Sequence, residues 1–340
     1  MGSTKEFEKW KQLNAGDYHQ HLKDQKDLLW HYTDFAAFES ILRNNELWAT
    51  DYRFMNDSTE LLHALKFCFP PYNKSLSHVA KIIGQYLEST KPLPSAEVLS
   101  FSREFDSLEQ WRGYSRHSVG VALGFDAAVF ERVATHFGFK RLECIYTKQD
   151  KYDAIHRQIF VGNAELKKFE GLTDREHDLA EGYEEDEAAA EECNLVEGGQ
   201  EARALAITYH LQMQRFMNDI VLAFKDDSFS KESEVRFASP FRDFSSNADL
   251  TRTGNHTPER AFRQRDGAII PYSKLPLSVE GVESRHPLKA VLFGPVAQSN
   301  VLQQRARMHD FTEWFHRLTR ARPATIDPPI VAFSKVPLRG

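Results

Sequence analysis

The hydrophobic pattern of this chain alternates between short apolar runs and stretches with a helical period. The run Leu28–Tyr32 is typical of a buried strand. The stretch after it predicts a helix, because apolar side chains recur at helical spacing behind Thr33 or Asp34, either of which can cap the helix. The expected inward face of that helix consists of Phe35, Phe38, Ile41 and Leu42.

The rest of the chain repeats this mixture in an irregular order. Further strands are predicted at 47–49, 98–102, 118–125, 139–147, 235–238, 268–272, 288–293 and 330–333. Further helices are predicted at 107–114, at 127–136, at 297–318, and from a capping box at 56–60 through Phe67. Because strands and helices do not alternate strictly, the order favours an α+β fold.

Composition indicates a folded globular protein. Of the 340 residues, 41% are hydrophobic, and the 25 phenylalanines can fill a sizeable core. The length exceeds the usual single-domain range without demanding two cores. We therefore predict a helical extension at 1–27 followed by a single domain at 28–340.

Charge and cysteine content limit where the protein works. Its three cysteines, Cys68, Cys144 and Cys193, are too few and too scattered for a disulfide framework, so a cytoplasmic location is expected. No apolar run approaches the roughly 18 residues of a membrane-spanning helix, so no membrane partner is expected. A net charge of -6 disfavours broad nonspecific binding to nucleic acid.

Two segments have a strongly biased charge. Between Glu165 and Glu201, 14 acidic residues stand against three basic ones, which predicts a helical acidic insertion at about 150–224. This segment is either a solvated helical hairpin or an acidic arm that mimics nucleic acid or docks a basic partner. The opposite bias occurs in a predicted loop that could hold phosphates, with Arg252, His256, Arg260, Arg263 and Arg265.

Two carboxylates stand two residues apart at the start of a predicted strand. Because side chains at i and i+2 of a strand leave the same face, Glu232 and Glu234 are expected to project together, with Arg236 next in line. Such a pair suits acid/base or cation-stabilising chemistry. The alternative is a solvated edge strand whose Glu and Arg form surface ion pairs.

Several familiar chemistries are not indicated. The sequence has no G-x-G-x-x-G, no phosphate-binding G-x-x-x-x-G-K-[ST], no H-E-x-x-H and no G-x-S-x-G. His19 and His21 are more typical of an exposed helix start than of a metal site. No metal is expected.

The polar and aromatic blocks of the chain resemble those of the bacterial domain-of-unknown-function family 2971, in the same order over about residues 28–296. The blocks are Leu29–Thr33, Leu47–Thr50, Met55–Glu60, Ser100–Ser102 with Trp111 and Tyr114, Val119–Asp126, Phe224–Lys225, Glu232–Arg236 and Leu292–Pro295. That family in turn resembles a distant branch of the ADP-ribosyltransferase superfamily. The resemblance implies a split mixed β-sheet with flanking helices that holds NAD as a co-substrate.

The resemblance also implies roles for individual side chains. His31 would hydrogen-bond the NAD ribose, and Tyr114 or Tyr32 would stack on nicotinamide. Thr33 and Ser102 would complete the NAD site. Tyr114 stands on a predicted helix, and core packing is its alternative role.

The reaction that the resemblance implies needs a carboxylate, because loss of nicotinamide leaves an oxocarbenium-like ribose. Glu234 would stabilise that positive charge, and Glu232 would accept the proton of the incoming nucleophile. The loop at 226–231, with Phe229 and Lys231, would face the target.

The expected function is NAD-dependent ADP-ribosyl transfer to a macromolecular target, nucleic acid or protein, in a bacterial toxin or anti-phage defence effector. An inhibitory or regulatory protein partner would bind the acidic insertion. The alternatives are an NAD glycohydrolase, with water as the acceptor, and a catalytically silent module that senses nucleotides or binds a partner.

Overall fold

Ten strands of the described chain form one large mixed sheet, and five α-helices accompany them. The computed structural model describes residues 18–55, 95–114, 120–160, 221–240, 258–265, 267–283, 285–295, 310, 313–314 and 329–336. The protein is therefore a mixed α/β protein, which confirms the predicted combination of strands and helices.

The strands pair almost entirely in antiparallel fashion. They are β1 Leu28–Asp34, β2 Glu46–Asp51, β3 Glu97–Ser102, β4 Gly120–Asp126, β5 Lys140–Glu143, β6 Glu234–Ala238, β7 Arg260–Arg265, β8 Ala268–Pro276, β9 Leu288–Phe293 and β10 Ile330–Phe333. Their main order is β10-β9-β4-β1-β3-β2-β8-β7, and β6 joins β3 to β5. Among the described strands, β9 and β10 form the one parallel pair.

The chain divides into two compact units. The larger unit contains the sheet and consists of Met1–Asn56, Ser95–Glu143 and Ser228–Gly340. Its helices are α1 His19–Asp24, α2 Phe35–Asn44, α3 Leu108–Tyr114 and α4 Ala127–His136.

The smaller unit consists of Asp57–Pro94 and Cys144–Asp227. Helix α5, Lys148–Phe160, begins after Thr147, whose hydroxyl accepts a hydrogen bond from the Asp150 amide at 3.1 Å. Ile145 forms an isolated parallel bridge with Phe224 in this unit. None of the described helices is both long and apolar enough to cross a membrane.

Local sequence signals explain where α2 begins and ends. Asp34 caps its first turn, because the Asp34 carboxylate accepts a hydrogen bond from the Ala37 amide at 2.8 Å. Asn45 ends it in the left-handed region, with φ 57°, and donates its amide to the Ile41 carbonyl. The predicted helix and its Asp34 cap are confirmed, although Phe35 is 43% exposed rather than part of the inward face.

The sheet buries apolar side chains on both faces. One face packs against α2 and α4. Phe101 and Phe237 of the sheet meet Phe130 of α4 there, with ring centroids 4.9 to 5.6 Å apart. The other face carries a smaller cluster around Trp30 and Trp111. Successive side chains along β1 and β3 therefore lie on opposite faces of the sheet.

Gly124 allows Trp30 to lie directly on the neighbouring strand. The two residues pair across β1 and β4, and a Cβ at Gly124 would meet the Trp30 ring at 3.0 Å. A larger residue would displace a tryptophan that is 1% exposed.

Some sequence predictions need correction or fall outside the described residues. Arg260–Arg265 form β7, paired with β8, and not the predicted loop. Arg252 and His256 lie outside the described residues, as do the capping box and most of the helix predicted at 297–318. Of the acidic insertion predicted at about 150–224, residues 161–220 also lie outside them.

Candidate active site

The sheet opens at the middle of β3. One edge of β3 pairs with β6 from Val98 to Ser102. The other edge pairs with β1 at Ser102, through Trp30, and with β2 at Val98 and Glu97. Between these points, from Leu99 to Phe101, neither β1 nor β2 pairs with β3. We call this gap the sheet opening.

His31 reaches into the sheet opening. Its Nδ1 lies 3.1 Å from the main-chain oxygen of Ser100, and its ring centroid lies 5.6 Å from that of Phe101. A carbonyl oxygen can only accept, so Nδ1 carries the proton and donates. Burial lowers the pKa of His31, because desolvation disfavours the imidazolium. The neutral ring therefore presents Nε2 as an acceptor for a ligand hydroxyl.

Glu234 is the first residue of β6 and is held by Arg236. Its Oε1 accepts a hydrogen bond from Arg236 Nε at 2.8 Å, and its Oε2 lies 3.2 Å from a terminal guanidinium nitrogen. Both side chains are buried, at 5% and 2% exposed. The alternative of a solvated surface pair is therefore wrong for Glu234 and Arg236. These two contacts with the Arg236 guanidinium fix the orientation of the Glu234 carboxylate.

Glu232 does not share a strand face with Glu234. It ends a 3-10 helix, Asp227–Glu232, and Ser233 follows with φ 43°. This left-handed residue separates Glu232 from β6, so strand alternation does not relate the two carboxylates, contrary to our expectation. Glu232 is partly buried.

Ser102 anchors that same turn. Its hydroxyl donates to the Glu232 carbonyl oxygen at 2.6 Å and accepts from the Glu104 amide at 3.0 Å. The Ser233 hydroxyl donates to the Glu104 carboxylate at 2.8 Å. Ser102 thus ties the end of β3 to the chain that enters β6.

Tyr32 serves the packing of the sheet. Its hydroxyl donates to the Glu104 carbonyl at 2.7 Å and accepts from the Ser107 amide at 3.1 Å, while its ring packs edge-on against Trp111. Burial raises the pKa of Tyr32. Of the two tyrosines expected to stack on nicotinamide, Tyr114 is the exposed one, at 44%, and it ends α3 as predicted.

The other candidate residues are placed as follows. Thr33 lies on β1, two residues beyond His31, and is 9% exposed. Phe229 and Lys231 lie on the 3-10 helix that precedes β6, where Phe229 is partly buried and Lys231 is exposed. Among the described residues, no group of three or more His, Cys, Asp or Glu side chains is placed to hold a metal ion.

Strand pairing brings some of these residues together and separates others. Trp30, Ser102 and Glu234 stand in one row across β1, β3 and β6. Alternation along β1 places His31 and Thr33 on the opposite face from that row, although the His31 ring turns into the sheet opening. The structure therefore unites Ser102 with Glu232 and Glu234, and it leaves His31 on the other side of β3.

Ser100 has a role that was not predicted from the sequence. Ser100 stands directly across from Arg236, and its carbonyl orients His31. Its hydroxyl is buried without a hydrogen-bond partner among the described residues. The alternating sequence Ser100-Phe-Ser102 could have indicated this role, because it places both serine hydroxyls on the sheet face that Arg236 and Glu234 share.

Together these features define a mixed α/β protein whose sheet opens beside a neutral histidine and carries a buried glutamate–arginine pair on the adjacent strand. Residues 110–237 match the model of a family described as "Protein of unknown function (DUF2971)". The match supports the resemblance to that family for this part of the chain, which includes Glu232, Glu234 and Tyr114. No curated protein and no solved structure matches the chain.

Proposed function

We propose that this protein transfers ADP-ribose from NAD to a macromolecular target, as a bacterial toxin or anti-phage defence effector. The sheet opening beside His31 is the observation that supports this best. A ligand hydroxyl that enters the opening meets His31 Nε2, whose acceptor role follows from the hydrogen bond between Nδ1 and Ser100. The β-sheet is of the ADP-ribosyltransferase type in this proposal.

Glu234 supplies the negative charge for the reaction. The bond between the ribose C1′ and the nicotinamide nitrogen breaks, and nicotinamide leaves with the bonding electrons. The carboxylate stabilises the oxocarbenium-like ribose, and the nucleophile of the target then bonds to C1′. Glu232 takes the proton that this nucleophile loses.

Glu234 has to change its orientation for this reaction. Because its carboxylate is forked to Arg236 on the face away from His31, it must turn towards the ribose when NAD binds. Glu234 stands across β3 from β1, because it pairs with Ser102 and Ser102 pairs with Trp30. A movement of the Glu234 side chain at this end of β3 therefore brings its carboxylate nearest to β1.

The 3-10 helix Asp227–Glu232 faces the target in this proposal. Phe229 offers a ring for contact, and the exposed Lys231 offers a positive charge. Phe229 and Lys231 can contact either an exposed nucleic-acid base or a protein side chain, so the target in this proposal is nucleic acid or protein.

A second candidate function is a binding module without chemistry. The buried pair of Glu234 and Arg236 favours it, because a paired and desolvated carboxylate also serves as a purely structural element. In this case the sheet opening would hold a nucleotide without cleaving it.

NAD binding to the purified full chain tests the proposed site directly. We expect His31→Ala to weaken NAD affinity at least about tenfold, since a hydrogen bond to the ribose is lost. His21→Ala is the matched control, because His21 is an exposed histidine on α1. Equal affinity of the wild type and His31→Ala in calorimetry would remove His31 from the NAD site.

A further inference from the structure

A buried cluster of charges lies where β2 joins β3, at one end of the sheet opening. Asp51 and Glu97 are direct cross-strand partners, and both are 0% exposed. We call Asp51, Glu97, Arg53 and Arg260 the hinge cluster.

Both arginines of the cluster lie against the Asp51 carboxylate. Arg53 donates to Asp51 from Nε at 2.9 Å and from a terminal nitrogen at 2.6 Å, and Arg260 of β7 lies 3.6 Å from the same carboxylate. Glu97 accepts a hydrogen bond from the Ser239 hydroxyl at 2.7 Å. The pKa of Arg53 is raised, chiefly by its hydrogen bond to Asp51 and to a smaller extent by the nearby charge of Glu97.

The charges matter here because the backbone pairing between β2 and β3 is short. The two strands share two register pairs, Thr50 with Val98 and Asp51 with Glu97. Like charges directly opposite each other destabilise a strand pair. Without the arginines, the Asp51–Glu97 pair would push apart the strands at the point that joins β2, β8 and β7 to the rest of the sheet.

Two serines next to the hinge cluster in sequence or register have unused hydrogen-bonding capacity. The hydroxyls of Ser95 and Ser273 are buried without a partner among the described residues. Ser273 stands directly opposite Ala49 and Arg260, and Ser95 lies two residues before Glu97. Polar side chains in this position can exchange partners when the strands shift, which a purely apolar joint could not do.

We propose that the hinge cluster sets the width of the sheet opening, with Arg53 as the positioning residue that keeps β2 closed on β3. Loss of its charge lets β2, β8 and β7 move away from β3 as a group. The link to NAD rests on the proposed function, whereas the movement itself does not.

Amide hydrogen exchange on the full chain without NAD tests the movement. In Arg53→Gln, we expect the amides that join β2 to β3, including that of Tyr52, which donates to the Ala96 carbonyl, to exchange at least about tenfold faster. The β1–β4 amides should keep their wild-type rates. Arg43→Gln is the matched control, since Arg43 forms an exposed ion pair with Glu39 on α2.

A second substitution separates electrostatics from simple loss of packing. Asp51→Asn in the Arg53→Gln background removes the repulsion with Glu97, so we expect exchange to return towards the wild-type rate. Exchange as fast as in Arg53→Gln, or faster, would overturn the proposal, as would an unchanged rate in Arg53→Gln. If Arg53→Gln does not fold, the double variant decides, because a recovered cooperative melt supports the hinge cluster and a failure to recover overturns it.

The same variants distinguish this inference from the proposed function. Faster exchange in Arg53→Gln in a chain that does not bind NAD would retain the hinge cluster and reject the NAD site. If amide exchange is unchanged in Arg53→Gln and the chain binds NAD, the hinge cluster is rejected and the NAD site is retained.

Discussion

The imidazole of His31 takes the place of a strand partner at the middle of β3. Its Nδ1 bonds a main-chain oxygen that neither β1 nor β2 reaches through its own backbone. A half-buried neutral ring in this position satisfies the carbonyl and keeps Nε2 for a ligand. One side chain thus stabilises the sheet opening and offers a binding group in it.

The lowered pKa of His31 makes stability depend on pH. The unfolded chain binds a proton near the ordinary value of 6.5, while the folded chain resists it, so stability falls as the pH drops through that value. His31→Gln can still donate to the Ser100 carbonyl but cannot titrate. We therefore expect the free energy of unfolding, measured in urea, to fall less in His31→Gln than in the wild type between about pH 7.5 and 5.5.

His21→Gln is the control for this measurement. It removes an exposed histidine and should follow the wild-type pH dependence. Parallel curves for the wild type and His31→Gln would show that His31 protonates equally in the folded and unfolded chain.

The Glu234–Arg236 pair predicts a large loss of stability when one partner is neutralised. Glu234→Gln leaves the guanidinium buried without its counter-charge and should lower the free energy of unfolding by about 3 to 5 kcal/mol. The double variant Glu234→Leu/Arg236→Met should recover most of this loss. Glu39→Gln, on the surface of α2, should change stability by less than about 0.5 kcal/mol.

Equilibrium unfolding in urea measures all four proteins on one scale. A double variant as unstable as Glu234→Gln would mean that the loss comes from packing around β6 and not from the unpaired charge.

At the scale of elements, the turn into β6 decides where the two carboxylates lie. Ser233 in the left-handed region and the Ser102 hydrogen bond to the Glu232 carbonyl end the 3-10 helix before the strand begins. Glu232 and Glu234 therefore have different surroundings, which suits different roles in one reaction.

Glu232→Gln should separate the two halves of that reaction. If Glu232 only deprotonates the acceptor, the variant should transfer less ADP-ribose to the target and still release nicotinamide with water as the acceptor. Nicotinamide release and label transfer, followed in the same tube, measure the ratio. Equal loss of both would mean that the two carboxylates act as one unit, and full retention of both would make Glu232 a structural residue.

Local elements were predictable where one residue pattern was sufficient. The apolar runs of β1, β3 and β9 and the capped helix α2 all follow from side-chain period and capping chemistry. Strand β7 was missed because three of its six residues are arginines and its two apolar residues, Ala261 and Phe262, are adjacent, so no apolar face was visible. Its assignment comes from pairing with β8.

The candidate site was predictable in its residues and not in its arrangement. Glu234, His31 and Ser102 were named from their motifs, but the sheet opening depends on which strands pair with β3 and at which residues. Those contacts join positions up to 142 apart in the chain, as in the bond between Ser239 and Glu97. Residue period carries no information about such pairs.

At the scale of the whole molecule, the charge of the chain is uneven. The segment Glu165–Glu201 is strongly acidic, and it lies outside the described residues. Replacing residues 172–198 with a short Gly/Ser linker should leave a cooperative thermal melt, since such a segment buries little apolar area.

Loss of that melt would show that the segment belongs to the core. If the arm docks a basic partner, its replacement should abolish a salt-sensitive association and spare basal NAD turnover.

The most direct test of the proposed function is to incubate the purified full chain with labelled NAD, with and without nucleic acid or lysate protein, and to follow nicotinamide release and label transfer together. We predict that the wild type and Glu39→Gln release nicotinamide and label a macromolecule. In folded Glu234→Gln, the rates of nicotinamide release and of label transfer should both fall more than about tenfold. Release that needs no added target, without any label transfer, would indicate NAD hydrolysis instead. Wild-type protein that releases no nicotinamide under any condition, or folded Glu234→Gln with near-wild-type turnover, would contradict the proposal.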